Sequence, residues 1–414
     1  MTQSQPSTTG CLVVGGGPAG MVLGLLLARA GVDVTVLEKH ADFLRDFRGD
    51  TVHPSTMQLL DELGLGAEFD RLPQSRVEQV TMPRPDGEFV VLGDLSRLRV
   101  SHPYIAMVPQ WDLLDLLADA AREEPTFHLR LQTEATGLIR DGERVVGVTC
   151  RTADGVHGRI VADATVACDG RWSVLRRASG LRTREFDVPI DAWWFRLPRR
   201  STDPAGRGLL PAAGSGRMAI LIPRRDYYQI AYLGRKGTDA QLRARGLAAF
   251  RRDIAELVPW LSDRTEALTT LDDVSVLDVR LNRLPCWHVD GLVCIGDAAH
   301  AMSPVGGVGI NLAVQDAVAT ATLLAEPLSR GRVRSTDLAR IRRRRLLPTV
   351  SVQLMQRLMH RGVIQPILGG HRSGPPALVL GLVRAVPAST VIPAYLIGVG
   401  LRPEHAPEFA RRAS

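Results

Sequence analysis

Residues 11–38 constrain this chain more than any other stretch. Cys11-Leu12-Val13-Val14 reads as an apolar strand, and Gly15-Gly16-Gly17-Pro18-Ala19-Gly20 as a turn. Leu23, Leu26 and Leu27 then recur at helical spacing up to Gly31. Val34-Thr35-Val36-Leu37 forms a second strand, and Glu38 stands at its end. Strand, G-x-G-x-x-G turn, helix, strand and acid in that order predict a dinucleotide-binding βαβ unit. Gly15 permits the tight turn, Gly17 lets backbone approach a pyrophosphate, and Gly20 lets helix and strand pack closely. Pro18 and Ala19 open a helix whose unpaired N–H groups and positive dipole end suit phosphates. Glu38, followed by Lys39, accepts hydrogen bonds from a ribose diol and repels a 2′-phosphate, which points to FAD or NAD.

The rest of the composition narrows the class. A chain of 414 residues with 45% hydrophobic and 23% charged residues can bury a large core and suggests two or three domains. The net charge of +7 comes almost wholly from arginine, since Lys39 and Lys236 are the only lysines. No nucleic-acid motif accompanies it, and no nucleic-acid partner is expected. Cys11, Cys150, Cys168, Cys286 and Cys294 show no ligand-like spacing and read as core residues in a reducing compartment, with no metal. The polar first ten residues lack the look of a signal peptide. The apolar stretch 377–401 is interrupted by Arg384, Pro387 and Pro393, so it reads as packed helices rather than a membrane span. A cytoplasmic protein, monomer or homodimer, is the expectation.

Along the chain, a loop over 39–53 precedes a short helix from Pro54. Residues 77–100 suggest a hairpin about Pro85-Asp86-Gly87, and Gln110 leads into an amphipathic helix. Strands follow around Asp141-Gly142 and over 160–166. From 181 to 274, strand-like runs (192–197, 218–223, 227–233) alternate with turns and one helix over 239–257. The expected organisation is α/β with an α+β insert: nucleotide-binding segments 1–76, 101–180 and 275–360, a substrate-domain hairpin 77–100, an antiparallel substrate layer 181–274, and C-terminal helices 361–414. A second literal glycine match, Gly214-Ser215-Gly216-Arg217-Met218-Ala219, leads into a strand and fails the required context. The run Arg342-Arg343-Arg344-Arg345 reads as a solvated helix.

Two further motifs carry the chemistry. One is Cys168-Asp169-Gly170-Arg171-Trp172-Ser173-Val174-Leu175-Arg176; the other is Gly296-Asp297-Ala298-Ala299-His300, followed by Pro304-Val305-Gly306-Gly307-Val308-Gly309-Ile310-Asn311. Together with the first glycine turn and Arg48, they resemble the group A flavoprotein monooxygenases, the fold of p-hydroxybenzoate hydroxylase. The resemblance implies a Rossmann-like FAD-binding domain in which Asp169 and Gly170 serve FAD and NAD(P)H. It implies Asp297 on a ribityl hydroxyl, Arg48 and Gln110 on FAD, and Pro304 beside the oxygen-reactive flavin face. Gly307 and Gly309 let backbone approach the isoalloxazine, and the helix from Ile310 and Asn311 aims its N-terminus at the flavin pyrimidine edge.

The reaction so implied uses non-covalent FAD with NADPH or NADH as co-substrate. Oxygen adds to reduced flavin as a C4a-hydroperoxide and passes to a small organic molecule, expected to be aromatic or polyketide-like. No protein nucleophile or metal is required. His300 is expected to be structural. Trp193, Phe195, Tyr228 and Tyr232 are candidates for the substrate wall, Trp193 and Phe195 sharing one face and Tyr228 and Tyr232 another. Halogenation is disfavoured, since Ala219-Ile220-Leu221-Ile222-Pro223 lacks the halogenase tryptophans. The stretch after Gly362 reads as too short for the thioredoxin-like domain of larger polyketide hydroxylases. Two alternatives stay open: a flavin-dependent reductase or dehydrogenase of the same superfamily, and a non-redox FAD-containing cyclase or binding scaffold.

Overall fold

A computed structural model describes residues 7–44, 51–83, 89–203, 209–214, 216–371, 380–381, 383 and 385–412. The first strand, β1 (Ser7–Val14), lies between two parallel neighbours, β2 (Val34–Leu37) and the strand His157–Ala167. Leu292–Cys294 extends the sheet on one side and Phe127–Arg130 on the other, both parallel. Arg144–Thr152 pairs antiparallel with His157–Ala167, and Thr133–Asp141 pairs antiparallel with Arg144–Thr152 in turn. Parallel strands are covered on their faces and so read as continuous apolar runs. Cys11, Leu12 and Val13 are accordingly fully buried. Phe127–Arg130 has no such run, because its position at the sheet edge leaves alternate residues exposed.

Helix α1 (Pro18–Arg29) is buried throughout residues 19–28, against the sheet and the helices Gln110–Arg122 and Gly309–Ser329. Its apolar residues therefore surround the axis instead of forming one stripe. Gly24 brings it close to the sheet: a Cβ there would lie 2.8 Å from both Phe127 and Val36.

The second layer is a five-stranded antiparallel sheet in the order Leu210–Gly214, Arg217–Pro223, Tyr227–Arg235, Ile190–Pro198, Ser275–Leu277. The helix expected over 239–257 is two helices, Asp239–Ala244 and Leu247–Leu257, because Gly246 turns at φ +80° between them. The hairpin pairs Gln79–Pro83 with Phe89–Asp94; its expected turn at Pro85-Asp86-Gly87 lies outside the described residues.

The arginine run departs from the solvated reading. Arg345 is 1% exposed and pairs with Asp316 at 2.9 Å and Glu404 at 3.4 Å, while Arg344 also reaches Glu404. Burying a guanidinium requires such partners, and they come from elements remote in sequence. Among the described residues no helix is long and apolar enough to cross a membrane.

Candidate functional site

Steric necessity shapes the first turn. Gly15 has φ +110°, and a Cβ on it would sit 2.4 Å from the Cys168 carbonyl oxygen. A Cβ on Gly20 would lie 1.9 Å from the Gly15 carbonyl oxygen. Gly17, by contrast, meets nothing within 4 Å, so its open side can receive a ligand. Pro18 follows at the start of α1, which has neither a side-chain cap nor an acid in its first turn. Its positive end is thus left for an anion. Glu38 is buried, and its carboxylate accepts from the Gly16 and His40 N–H groups, each at 3.0 Å. Lys39 beside it is exposed, Gln110 is half-buried at the start of its helix, and Arg48 lies outside the described residues.

The two aspartates flank this turn. Asp169 Oδ2 accepts from Val174 N–H at 2.7 Å and Leu175 N–H at 3.2 Å, capping the helix Val174–Ala178. Its Oδ1 is buried without a hydrogen-bond partner, and burial raises the Asp169 pKa against the opposing effect of the Ser173 hydroxyl and those N–H groups. A buried unsatisfied carboxylate oxygen is costly and fits a hydroxyl-bearing ligand. Gly170 beside it has φ +81° and an open side. Asp297 lies in the turn Gly296–Ala298, with Arg171 at 3.6 Å.

That turn is fixed from behind by Asp316. Its Oδ2 takes Gly296 N–H at 3.1 Å and His300 Nε2 at 2.6 Å. Burial alone would raise the pKa of Asp316, but His300 and Arg345 more than offset this and hold it low. His300 is 1% exposed and held by this acid.

The glycine loop 303–309 is clamped from both sides by residues far away in sequence. The Gly307 carbonyl accepts from Thr51 Oγ1 at 2.7 Å and His53 Nε2 at 3.0 Å. A Cβ on Gly307, at φ +64°, would meet Thr51 Oγ1 at 2.8 Å. Asn311 Oδ1 accepts from Ser55 at 2.9 Å and Thr56 at 2.8 Å. On the other flank His360 Nε2 lies 2.9 Å from Ser303 Oγ, and Gln356 donates to the Ser303 and Val305 carbonyls at 2.8 Å each. Burial lowers the pKa of both His53 and His360 to about 4, so both are neutral near pH 7. Pro304 and Ile310 are half-buried, Gly309 has an open side, and the helix Gly309–Ser329 begins without a side-chain cap.

The four aromatic wall candidates lie elsewhere. Trp193, Phe195, Tyr228 and Tyr232 are 1%, 0%, 0% and 6% exposed and occupy a single apolar cluster under Leu247–Leu257 and Pro259–Ala267. The register pairs Trp193 with Tyr232 and Leu197 with Tyr228, which puts both pairs on one face, not two. Edge-on contacts to Phe250 and Trp260 complete that core. The opposite face of the sheet turns toward the glycine loop. There Ile222 shares a cluster with Met302 and Val308, Trp194 and Ile220 pack against that cluster, and Trp194 and Val305 pack against a neighbouring one. The indole Nε1 of Trp194 is buried and without a partner.

Sequence reasoning did not single out Thr51, His53, Thr56, Asp316, Trp194, Gln356 or His360. Apart from Trp194, whose indole nitrogen has no partner, their roles arise from contacts between residues 16 to 256 apart in sequence, and none carries a local motif.

The profile of the family described as FAD binding domain matches residues 8–352. Among named relatives, 6-methylpretetramide 4-monooxygenase of Streptomyces rimosus is 36% identical over 85% of this chain and 84% of its own. Protoasukamycin 4-monooxygenase of Streptomyces nodosus subsp. asukaensis is 27% identical over 90% and 94%. Two solved structures share the fold at low identity. An anhydrotetracycline hydroxylase from Streptomyces rimosus has a TM-score of 0.76 at 24% identity, covering 97% of this chain and 78% of that one. A myxobacterial chondrochloren halogenase has a TM-score of 0.77 at 19% identity, covering 98% and 99%. With the family profile running from β1 past the glycine loop, the chain belongs to the FAD-dependent monooxygenases built on this FAD-binding domain.

Proposed function

We propose that this protein is a monooxygenase that binds FAD non-covalently, takes electrons from NADPH or NADH, and places one atom of O2 on an aromatic, polyketide-like small molecule. The observation that carries the reading is the convergence on one region of Gly17, open and at the head of α1, the unpartnered Oδ1 of Asp169, and Gly309, open at the head of an uncapped helix. These suit a phosphate, a hydroxyl and an electron-rich ring edge in turn. The 36% identity to 6-methylpretetramide 4-monooxygenase supports the substrate class.

In this reading Gly15, Gly17, Pro18, Ala19 and Gly20 cradle the pyrophosphate, while Glu38 and Lys39 hold the adenosine ribose. Arg48, Gln110, Asp169, Gly170 and Asp297 complete the nucleotide and ribityl contacts. Pro304, Gly307, Gly309, Ile310 and Asn311 border the flavin ring. FAD, when bound, supplies the redox chemistry and the activation of oxygen. The chain's own part is to orient and to exclude water. Ile222, Met302 and Val308 make an apolar lining, and Trp194 Nε1 donates a hydrogen bond to a substrate carbonyl or hydroxyl.

The test is turnover of the FAD-loaded protein with NADPH or NADH and 18O2 on a polycyclic phenol such as 6-methylpretetramide. One 18O atom in the product, with nucleotide consumption stimulated by substrate, is the expected result. Nucleotide oxidation that yields only a reduced or desaturated product supports the reductase alternative instead. A product unchanged in oxidation state would leave the scaffold or cyclase reading.

A further inference from the structure

On the outer side of the segment that follows Asp297, three guanidinium groups surround one phenyl ring. The Cζ atoms of Arg283, Arg357 and Arg184 lie 4.8, 5.0 and 5.5 Å from the centroid of Phe186. Arg184 and Arg283 are directly opposed in the antiparallel ladder between Arg184–Phe186 and Leu281–Arg283. Like charges in that register repel. Among the described residues no carboxylate pairs with either: Glu185 occupies the alternate position, where it takes hydrogen bonds from Asn282 at 3.0 Å and Thr183 at 2.8 Å.

Among the described residues neither Arg184 nor Arg357 has an ion pair or hydrogen bond, and Arg283 is held by the amide oxygen of Gln353 at 2.9 Å. Arg342 adds a fourth charge, with a buried and unpartnered Nε. Burial and then the charges of Arg184, Arg357 and Arg342 lower the pKa of Arg283. Cation–π contact with one ring offsets part of this repulsion but cannot neutralise it.

The position of the cluster narrows its ligand. Asn282, between Leu281 and Arg283, exchanges hydrogen bonds with Ala301 at 3.1 Å, and Leu284 N–H reaches the Ala299 carbonyl at 2.8 Å. The arginines therefore rest on the segment that leads from Asp297 to the glycine loop. Arg280, at the head of the same strand, stacks at 4.2 Å on Trp172, which follows Asp169, Gly170 and Arg171. Guanidinium groups are suited to phosphate oxygens, which they can bind bidentately.

We propose that Arg184, Arg283 and Arg357 form a phosphate-binding site for the nicotinamide dinucleotide that reduces the flavin, outside the glycine turn of β1 and α1. This rests on the reading of the protein as an NAD(P)H-reduced flavoprotein.

The experiment uses FAD-loaded protein and two probes, inorganic pyrophosphate and 2′,5′-ADP, titrated calorimetrically into wild type, the double variant Arg184→Gln/Arg357→Gln, and Arg343→Gln as a surface control. Binding to wild type and the control, weakened by about ten-fold or more in the double variant, is expected. The double variant should melt no lower than wild type, since the repulsion it loses outweighs the cation–π attraction to Phe186; a merely structural cluster would lower the melting temperature. In turnover, KM for the nucleotide should rise with kcat nearly unchanged. Equal binding of both probes by wild type and the double variant overturns the site. Weakened binding with unaltered nucleotide KM overturns the dinucleotide as its occupant, whether another anion, such as an acidic substrate, is bound there or none. Flavin reduction is followed separately by absorbance. Intact probe binding without reduction by either nucleotide counts against the proposed reaction, whereas normal reduction without probe binding counts against the cluster alone.

Discussion

The turn at 15–20 and the loop at 303–309 are both glycine-rich and both precede a helix, yet they are held by different physics. The first is shaped by backbone against backbone: the Cβ atoms that Gly15 and Gly20 lack would fall on carbonyl oxygens of Cys168 and Gly15. The second is held by side chains, through the hydroxyls of Thr51, Ser55 and Thr56, the amide of Gln356 and the imidazoles of His53 and His360. A turn held by sterics is set by local sequence and is indifferent to pH. A loop held by side chains depends on distant elements and can be loosened one hydrogen bond or one proton at a time.

The largest effects are expected at the first turn, where two glycines separate folding from binding. In Gly20→Ala the new methyl would lie 1.9 Å from a backbone oxygen, and a flexible side chain is not there to give way. A loss of at least about 1–3 kcal/mol and of FAD retention is expected, read by thermal melting and by flavin content after purification. Gly17→Ala adds a methyl with no protein atom within 4 Å, at an ordinary extended backbone angle of φ −78°. The apoprotein should melt as wild type does, while FAD affinity falls by about ten-fold or more. Wild-type affinity in Gly17→Ala would mean that this open side does not receive the cofactor.

The loop should respond to acid where the turn does not. Burial lowers the pKa of His53 in the folded state to about 4, below its unfolded value of 6.5. Below pH 6.5 the unfolded chain takes up a proton that the folded chain refuses. Stability is therefore fully present above that pH and is lost as pH falls toward 4, by roughly 3 kcal/mol. His360 carries a shift of the same sign. Urea titrations at about pH 7.5 and pH 5 should show about 2 kcal/mol of this loss from each histidine, and His53→Gln, which keeps a donor for the Gly307 carbonyl, should roughly halve the slope. An unchanged slope in that variant would remove His53 from the account.

The same contrast explains what could be read in advance. The βαβ unit was legible because its strand periods, glycine spacing and terminal acid are all local. The motifs at 169–170 and 296–297 were legible as words, but the orphaned Asp169 Oδ1 and the Asp316 anchor were not, since they appear only when helix and strand meet. Alternation identified aromatic residues on strands of the inserted sheet but could not say which face meets the glycine loop. Trp193 and Trp194 are neighbours in sequence and end on opposite sides, because Leu247–Leu257 covers one face. The arginine run misled for a related reason: Asp316 and Glu404, which make burial of Arg345 tolerable, are 29 and 59 residues from it.

A smaller effect is expected at Asn311. Its Oδ1 accepts two hydroxyls, so Ser55→Ala or Thr56→Ala alone leaves one bond in place and should cost about 1 kcal/mol or less. The double variant leaves a buried amide oxygen unsatisfied and should cost about 1–3 kcal/mol, more than the sum of the single changes. Additive losses in denaturant titrations would show that the two hydroxyls are not alternatives for the same oxygen.

The smallest effect on stability, and one of opposite sign, is expected at Trp194. Its Nε1 is a buried donor without a partner, so Trp194→Phe removes an unsatisfied polar group at the expense of a little packing. The two terms nearly cancel, and the melting temperature should stay level or rise slightly. Catalysis should move the other way. If the indole donates to the substrate, the variant raises KM for a carbonyl- or phenol-bearing substrate by about ten-fold, with flavin reduction unaltered. Trp193→Phe supplies the contrast, because its Nε1 already donates to Asp239 at 2.8 Å in the covered core. That change should lower stability and leave KM alone. Reversal of the two outcomes would mean that the covered face, and not the face toward the glycine loop, meets the substrate.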